Sequence, residues 1–442
     1  MEKIDRTDRI EKTDRIEKTE NTDRINRTIL HSDLNSFYAS VECLYNPSIR
    51  DYPVAVCGDP EARHGIVLAK NQLAKKFGVT TGQAIWQAKQ ICPGLIAVKP
   101  NYDRYLQYSR LVGEIYQSYT DQVESFGIDE SWLDVTGSLS LFGSGEDIAN
   151  DIRKRVFEEL GVTVSVGVSF NKVFAKLGSD FKKPDAVTVF TKDNYKETVW
   201  PLPVTDLLYV GRATGPKLAK CGIYTIGDLA RFDPALLHSH LGKVGVVLHQ
   251  YANGLDYSPV KRNTEDAPVV KSIGNSITAP RDLVTENDVW VVIAMLSESV
   301  ASRLRDHGLK CKGVQIHVRG NDLDSFERQA KLETPTCLST EISKLAMEIF
   351  REKAKFDRPL RSLGVRAIDL VPANRNVQMS FLYDYEKQRR MERLEETIDD
   401  LRGKFGHFAV QKGMMAASRD LGGHNAKEHT IHPVGLFSGP ML

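Results

Sequence analysis

None of the six cysteines in this chain stands in a Cys-x-x-Cys pair; Cys43, Cys57, Cys92, Cys221, Cys311 and Cys337 are scattered. That spacing argues against a zinc site and a disulfide framework and suits a reducing, cytoplasmic setting. An excess of charge of either sign is missing too. Lys and Arg number 59 against 58 Asp and Glu, a formal charge of +1, so any surface for a polyanion has to be local. Long apolar runs are absent: the longest, around 289–296, is far too short to span a bilayer. The charged N-terminus has no apolar core and does not read as a secretory signal. What is present is ordinary: 442 residues, 41% hydrophobic and 26% charged, enough for several domains of a soluble protein.

One stretch breaks this ordinary pattern. In Phe126-Gly127-Ile128-Asp129-Glu130-Ser131-Trp132-Leu133-Asp134, two adjacent carboxylates sit among strand-forming residues. Burying unpaired charge is expensive. Neighbouring strand residues face opposite sides, so both acids can reach one object only from a turn or a strand end. A hard divalent cation, which takes oxygen ligands, is the natural object. An exposed hairpin with two solvated acids is the alternative reading.

Along the chain, residues 1–27 form a degenerate Thr-Asp-Arg-Ile-Glu-Lys repeat that reads as a low-complexity leader outside the fold. Ile29 and Leu30 open a strand. Asp33 falls near its end, and Phe37, Val41 and Leu44 have helical spacing. Asp33 there is placed either to hold a metal or to cap the helix. Strands are expected at 54–58 and 65–69, helices at 71–79 and 81–92, and Lys70, Lys75 and Lys76 lie on what reads as a solvated lysine face. A helix at 102–119, the Asp129-Glu130 hairpin, a helix at 148–160, a strand at 162–168 and a helix at 171–181 follow the rhythm of a ferredoxin-like α+β sheet. Short helices fill 206–252. Among them, Val210-Gly211-Arg212-Ala213-Thr214-Gly215-Pro216-Lys217-Leu218 reads as a helix-hairpin-helix, aiming backbone N–H groups at phosphate, or as a plain helical turn. Residues 258–268 have linker composition. Beyond them, Thr285-Glu286-Asn287-Asp288 is a capping box. The strict alternation of 314–319 turns Gln315, His317 and Arg319 away from the core. A further helix at 339–350 and a strand at 363–367 complete a second small α/β layer with a polar, locally basic face. Residues 378–382 form an apolar island, a charged helix covers 385–402, and the chain from Leu421 on reads as disordered.

Three of these stretches, in this order, carry a resemblance. Residues 31–42, with Asp33, residues 128–134, with Asp129 and Glu130, and residues 166–184, ending in Lys183-Pro184, resemble the catalytic motifs of the Y-family translesion DNA polymerases, specifically the bacterial DNA polymerase IV group. The likeness covers about residues 28–372. It implies an α+β multidomain right-hand polymerase: a ferredoxin-like palm (28–36 and 102–190), small fingers (37–101), a helical helix-hairpin-helix thumb (191–257), a linker (258–270) and an α/β little finger (271–372). The tail, 373–442, would carry a clamp-binding peptide. The implied activity is template-directed, error-prone transfer of dNMP from a dNTP to a primer 3′-OH during damage bypass, with two Mg²⁺ ions per active site.

By the same resemblance, Asp33, Asp129 and Glu130 are the catalytic metal ligands, with the Leu34 carbonyl a further oxygen. Phe37, Tyr38, Gln72, Lys75 and Lys183 would contact the nucleotide, Tyr38 lying under the sugar and Lys183 meeting the triphosphate. Gly211, Gly215, Lys217, Arg319 and Arg366 would contact DNA, and Gln378, Phe381 and Leu382 the bacterial sliding clamp. A monomer acting in the cytoplasm on primed template DNA and dNTP is implied. The chain departs from many relatives at Gln72 and Lys75, where a Tyr and an Arg are usual, at Asn35, usually Asp, and at Gly127, usually Ser. Lys75 keeps the charge but not the bidentate fork of Arg. Two other classes compete with this reading. A catalytically weak DNA-binding accessory subunit of a mutagenesis complex would lack metal carboxylates, and all three are present. A nucleotide cyclase would leave the helix-hairpin-helix and the second α/β layer without work.

Overall fold

The computed structural model describes residues 27–59, 65–262, 270–353, 358–374 and 384–423. The chain divides into two compact units, one built mainly from residues up to 267 and the other mainly from 268 onward. Among the described residues no helix is long and apolar enough to cross a membrane, and all six cysteines are free.

The first unit is organised on β1 (Ile29–Leu34), the middle strand of a five-stranded sheet of order β5-β6-β1-β7-β8. The flanking strands are β5 (Val123–Ser125), β6 (Glu130–Asp134), β7 (Val164–Ser169) and β8 (Val187–Val189). β1 runs antiparallel to both β6 and β7, while β8 joins β7 in parallel after the helix Lys172–Phe181. The first four strands therefore have the expected ferredoxin-like order, extended by one strand. Every residue of β1 is buried because both faces of the sheet are covered. Strand alternation turns Leu30 and Ser32 to one face and Ile29, His31 and Asp33 to the other. On the first face the helices Tyr102–Gln117 and Gly145–Leu160 bring Tyr105, Val112 and Tyr116, and Ile148, Ile152 and Val156, at helical intervals of four and seven residues, onto Leu30, Leu133 and Val166. The second of these helices starts before its apolar stripe, because Ser144 and Asp147 form a capping box. On the opposite face, Ala175 of the helix Lys172–Phe181 packs against Ile29 and Trp132.

Residues 37–101 add a three-stranded sheet, β3-β2-β4, from β2 (Val54–Cys57), β3 (Val67–Lys70) and β4 (Ile96–Val98). The helix expected at 81–92 is shorter, Ile85–Ile91. Gly82, at φ +85°, and Gln83 instead exchange backbone hydrogen bonds with Val67, so this segment continues β3's pairing before the helix begins. Four short helices, Gly215–Lys220, Ile226–Arg231, Pro234–Leu241 and Lys243–Ala252, gather around Leu218, Ile226, Leu229, Leu237 and Leu248. The start of the expected linker is ordered: Val260 is buried, and the Lys261 N–H donates to Glu124 at 2.8 Å.

The second unit is a four-stranded sheet of order β11-β10-β12-β9, built from β9 (Ser272–Leu283), β10 (Leu309–Gly320), β11 (Ser325–Thr336) and β12 (Leu360–Pro372), every pair antiparallel. Val314, Ile316 and Val318 are buried and Gln315, His317 and Arg319 are not, as the alternation requires. The Thr285–Asp288 capping box opens the helix Glu286–Asp306. This helix is buried nearly all round, Ser297 and Glu298 included. The cause is the C-terminal region. The helix Tyr385–Phe405 docks through its acids: Glu395 accepts from Arg305 at 2.6 Å and from the Ser339 hydroxyl at 2.7 Å, and Glu392 from Lys310 at 2.7 Å. Arg402 reaches Glu298 at 2.9 Å. Met415 and Leu421 then enter the core, so the tail stays ordered past the point where Leu421 marked expected disorder. Gln378, Phe381 and Leu382, like residues 1–26 and 424–442, lie outside the described residues.

Candidate active site

The antiparallel register of β1 and β6 sets Asp33 directly opposite Glu130, with His31 opposite Trp132. All four side chains therefore project on the face covered by the helix Lys172–Phe181. Asp129 lies in the turn just before β6. The turn closes by a Phe126 N–H bond to the Glu130 carbonyl, 2.8 Å, and is tied to the end of β1 by a Leu34 N–H bond to the Asp129 carbonyl, 2.9 Å. Gly127 has φ +87°, a backbone that favours glycine, and a Cβ there would lie 3.4 Å from the Asp129 carboxylate. The departure at Gly127 thus lets the turn fold tightly beside the acid. The structure in this way brings together Asp33, Leu34, Asp129 and Glu130 from two distant stretches of the chain. Asp33 does not cap the following helix. That position belongs to Ser36, at φ 49° and without a side-chain cap bond.

Two lysines share this face. Lys183 Nζ lies 2.6 Å from Asp33 and 2.7 Å from Asp180, and Lys176 pairs with Glu130. The electrostatics are uneven. Burial drives the Asp33 carboxyl up, the Lys183 ammonium opposes it and Glu130 adds to it, leaving it at about 7. Burial and then the charge of Glu130 raise Asp129 to about 6. Burial pushes Glu130 up as well, but His31 and the Lys176 ammonium outweigh it and hold it at about 2. Among the described residues no three His, Cys, Asp or Glu side chains stand as a ready-made ligand cluster, because Asp33 and Glu130 each turn an oxygen to a lysine. The donor set nevertheless fits a hard cation. It is made of carboxylate oxygens, and burial makes two of the three acids, Asp33 and Asp129, harder to ionise than a free carboxyl, a cost that a bound cation would offset.

Two residues in this constellation carry no separate signal in the sequence. His31 is fully buried. Its Nδ1 lies 2.8 Å from the Ser179 hydroxyl. His31 Nε2 faces Glu130 at 3.4 Å with no hydrogen-bond partner. Lys176 is legible only as part of a motif. Asn35 is buried with its amide within reach of Thr163 and Ser165, which makes it a packing residue and explains why the absence of Asp there leaves the acids undisturbed.

The remaining residues named from the sequence fall in three groups. Phe37 is buried in the core, whereas Tyr38 is partly exposed. Gln72 Nε2 donates to Ser36 Oγ at 3.3 Å, and Lys75 is exposed. Lys70, donating to Thr81 at 3.0 Å, has its pKa lowered by burial and by Lys75, a pair of like charges that an anion would relieve. Gly215 is buried, 3.2 Å being the space a Cβ would have to Thr205, while Gly211 and Lys217 are exposed. In the second unit Arg319 donates to the Leu323 carbonyl at 3.1 Å, and Arg366 is exposed, paired across the sheet with Gln315.

Comparison with known proteins identifies the family. The model of the impB/mucB/samB family matches residues 32–180 and that of its C-terminal domain residues 270–381. DNA polymerase IV of Acetivibrio thermocellus is 53% identical over 397 residues, covering 90% of this chain and 99% of that protein. DNA polymerase IV 2 of Bacillus subtilis is 38% identical over 392 residues, covering 87% and 93%. A Y-family DNA polymerase chimera of known structure superposes with a TM-score of 0.69 over 78% of this chain and 99% of the chimera, at 24% identity, a likeness of fold. The chain belongs to the impB/mucB/samB family, the Y-family translesion DNA polymerases of the DNA polymerase IV type.

Proposed function

We propose that Asp33, Asp129 and Glu130, with the Leu34 carbonyl, hold two Mg²⁺ ions at which this translesion polymerase joins a dNMP to a primer 3′-OH. The observation that carries the reading is the register that sets Asp33 against Glu130 while the Leu34 N–H ties Asp129 to the same strand end. Bound there, divalent cations supply charge that stabilises the attacking and leaving oxygens of an in-line displacement. The chain's own groups prepare the site. His31 backs Glu130 and keeps solvent from that side. Lys183, now on Asp33, is placed to meet the triphosphate and offset the charge that develops on it. Lys75 and Lys70, with Gln72, supply the fingers' share of that grip. Gly211, Gly215 and Lys217 on the thumb, and Arg319 and Arg366 on the little finger, meet DNA phosphates. The polymerase works as a cytoplasmic monomer on primed template DNA. The test is gel-resolved extension of a primed template with dNTPs and Mg²⁺. Extension that stops when Mg²⁺ is chelated and returns when it is restored supports the reading, and an inactive protein would sink it.

Tyr38 lies under the incoming sugar, where its ring leaves no room for a 2′-hydroxyl. Tyr38→Ala is expected to raise ribonucleotide incorporation far more than it lowers dNTP use, on the order of a hundredfold in the ratio of kcat/KM values. Unchanged sugar selectivity would make Tyr38 a packing residue only. Lys75 acts as a point charge on the triphosphate. Lys75→Ala is expected to raise the dNTP KM roughly tenfold, while Lys75→Arg is tolerated; single-nucleotide kinetics decide.

Gln378, Phe381 and Leu382 resemble the short peptide with which bacterial polymerases bind the sliding clamp. Tethering raises effective concentration at the primer end without any active-site contact. Replacing all three with Ala should lower clamp-stimulated synthesis and leave extension on short linear DNA unchanged. Loss of basal activity or of thermal stability would show instead that the segment belongs to the folded core.

A further inference from the structure

The ring of Tyr38 does not stand alone. It lies flat on Tyr105, with centroids 4.2 Å apart and planes 6° from parallel, and Tyr102 meets both rings edge-on. Tyr105 is wholly buried, and its hydroxyl donates to Glu42 Oε1 at 2.7 Å. Glu42 is itself buried, 8% exposed. Its other oxygen accepts from Arg104 at 3.0 Å, whose guanidinium covers the Tyr45 ring at 4.1 Å. Tyr38 and Glu42 are four residues apart on the helix Phe37–Tyr45 and so share one side of it. Tyr105 enters between them from the helix Tyr102–Gln117, its ring held by one and its hydroxyl by the other. A buried carboxylate is costly unless it is paired, and this one is paired entirely with the residue beneath Tyr38 and that residue's neighbour.

We propose that Tyr105 and Glu42 are positioning residues for sugar selection: they hold the Tyr38 ring in the one orientation that excludes a 2′-hydroxyl. The inference rests on Tyr38 being the sugar contact. Steric exclusion of a single oxygen requires the ring to be placed within a fraction of an ångström, and a ring free to swing about its side-chain bonds would yield to the extra hydroxyl. Stacking on an immobile, hydrogen-bonded ring removes that freedom. Tyr105→Leu removes the stack, Tyr105→Phe keeps the ring but frees it from Glu42, and Glu42→Gln weakens the anchor while preserving shape.

Single-nucleotide incorporation of matched dNTP and NTP, with melting curves for each protein, tests this in the wild type, Tyr38→Ala, Tyr105→Leu, Tyr105→Phe, Glu42→Gln and the double variant Tyr38→Ala/Tyr105→Leu. Tyr105→Leu is expected to lower the dNTP-over-NTP ratio of kcat/KM on the order of tenfold, mainly by improving NTP use, and the two milder variants a few-fold. The double variant should discriminate no worse than Tyr38→Ala, because a ring that is gone needs no support. A merely structural role would depress both nucleotides alike and leave the ratio unchanged. That result in folded variants, or multiplied effects in the double variant, overturns the inference while Tyr38→Ala still relaxes selectivity. Should Tyr105→Leu fail to fold, Tyr105→Phe and Glu42→Gln decide by the same ratio. An unchanged ratio in Tyr38→Ala would instead bring down the reading of Tyr38 itself, and this inference with it.

Discussion

Asp129→Ala and Glu130→Ala are each expected to reduce primer extension by on the order of a thousandfold or more, while binding of primed DNA stays close to wild type. The two halves of this result have different physical origins. On the proposed reading, nucleotidyl transfer needs the cations that the three acids would gather at the end of β1, and no neighbouring carboxylate is placed to take over, since Asp180, the other acid paired with Lys183, is already engaged there. Binding of DNA comes from phosphate contacts spread over other surfaces. The folded protein should separate the two substitutions further. Asp129 is ionised at neutral pH against burial and against Glu130, so Asp129→Asn relieves a repulsion and is expected to raise the melting temperature in metal-free buffer while abolishing activity, a trade of stability for function. Glu130 is the compensated member. Glu130→Gln strands the Lys176 ammonium and is expected to lower the melting temperature. Calorimetry with EDTA and extension assays on the same preparations check both. Substantial extension by either alanine variant would remove Asp129 and Glu130 from the metal site.

Gly167→Ala is expected to prevent folding or to lower stability by about 3 kcal/mol or more, a large part of the roughly 5–15 kcal/mol typical of a domain. A Cβ at Gly167 would lie 1.9 Å from the Ala175 carbonyl oxygen and 2.4 Å from the Ser179 nitrogen, both backbone atoms that cannot turn aside. Gly178 stands on the other side of the same crossing, where a Cβ would be 3.0 Å from the Gly167 Cα. The helix Lys172–Phe181 is thereby laid directly on β7, next to His31, the residue paired with Gly167 across β1 and β7. Any increase in that spacing would carry Lys176 and Ser179 away from Glu130 and His31. Expression, thermal melting and extension of Gly167→Ala, with Gly178→Ala as the milder companion, measure it. A Gly167→Ala protein that melts like wild type would show that the crossing tolerates a shift of about 1 Å, the distance the 1.9 Å contact would have to open.

Much of the site is legible in the amino-acid order alone. Asp33 and the Asp129-Glu130 pair stand out because acids at the ends of apolar strands are costly, and alternation places such a pair at a turn or strand end; on that ground alone a helix cap and a solvated hairpin fit as well, and the resemblance of three separated motifs is what selects a metal site. The ferredoxin-like rhythm, the Thr285–Asp288 cap and the outward set of Gln315, His317 and Arg319 are equally local, each a matter of period or of a cap a few residues long. Where a local signal misleads, a distant pairing overrides it: Gly82 and Gln83 fall in a stretch that reads as helix but bond to Val67 in β3.

Local pattern cannot reveal partnerships made across the chain. That His31 faces Glu130, that Lys176 and Lys183 neutralise different acids, and that Tyr105 and Glu42 support Tyr38 all follow from strand register and helix crossing, which join residues far apart in the chain. The C-terminal helix Tyr385–Phe405 makes the same point through charge. Its acids read from the sequence as part of a charged helix, yet Glu392 and Glu395 meet Lys310 and Arg305 and help bury one side of the helix Glu286–Asp306. Which residues are candidates for the chemistry, and which strands and helices present them, is therefore written in the chain itself, because both depend on neighbours a few positions away. Which charges are compensated, which glycine has no room for a methyl group and which ring holds which is settled only in the folded protein, because each depends on atoms that the completed packing brings within contact distance.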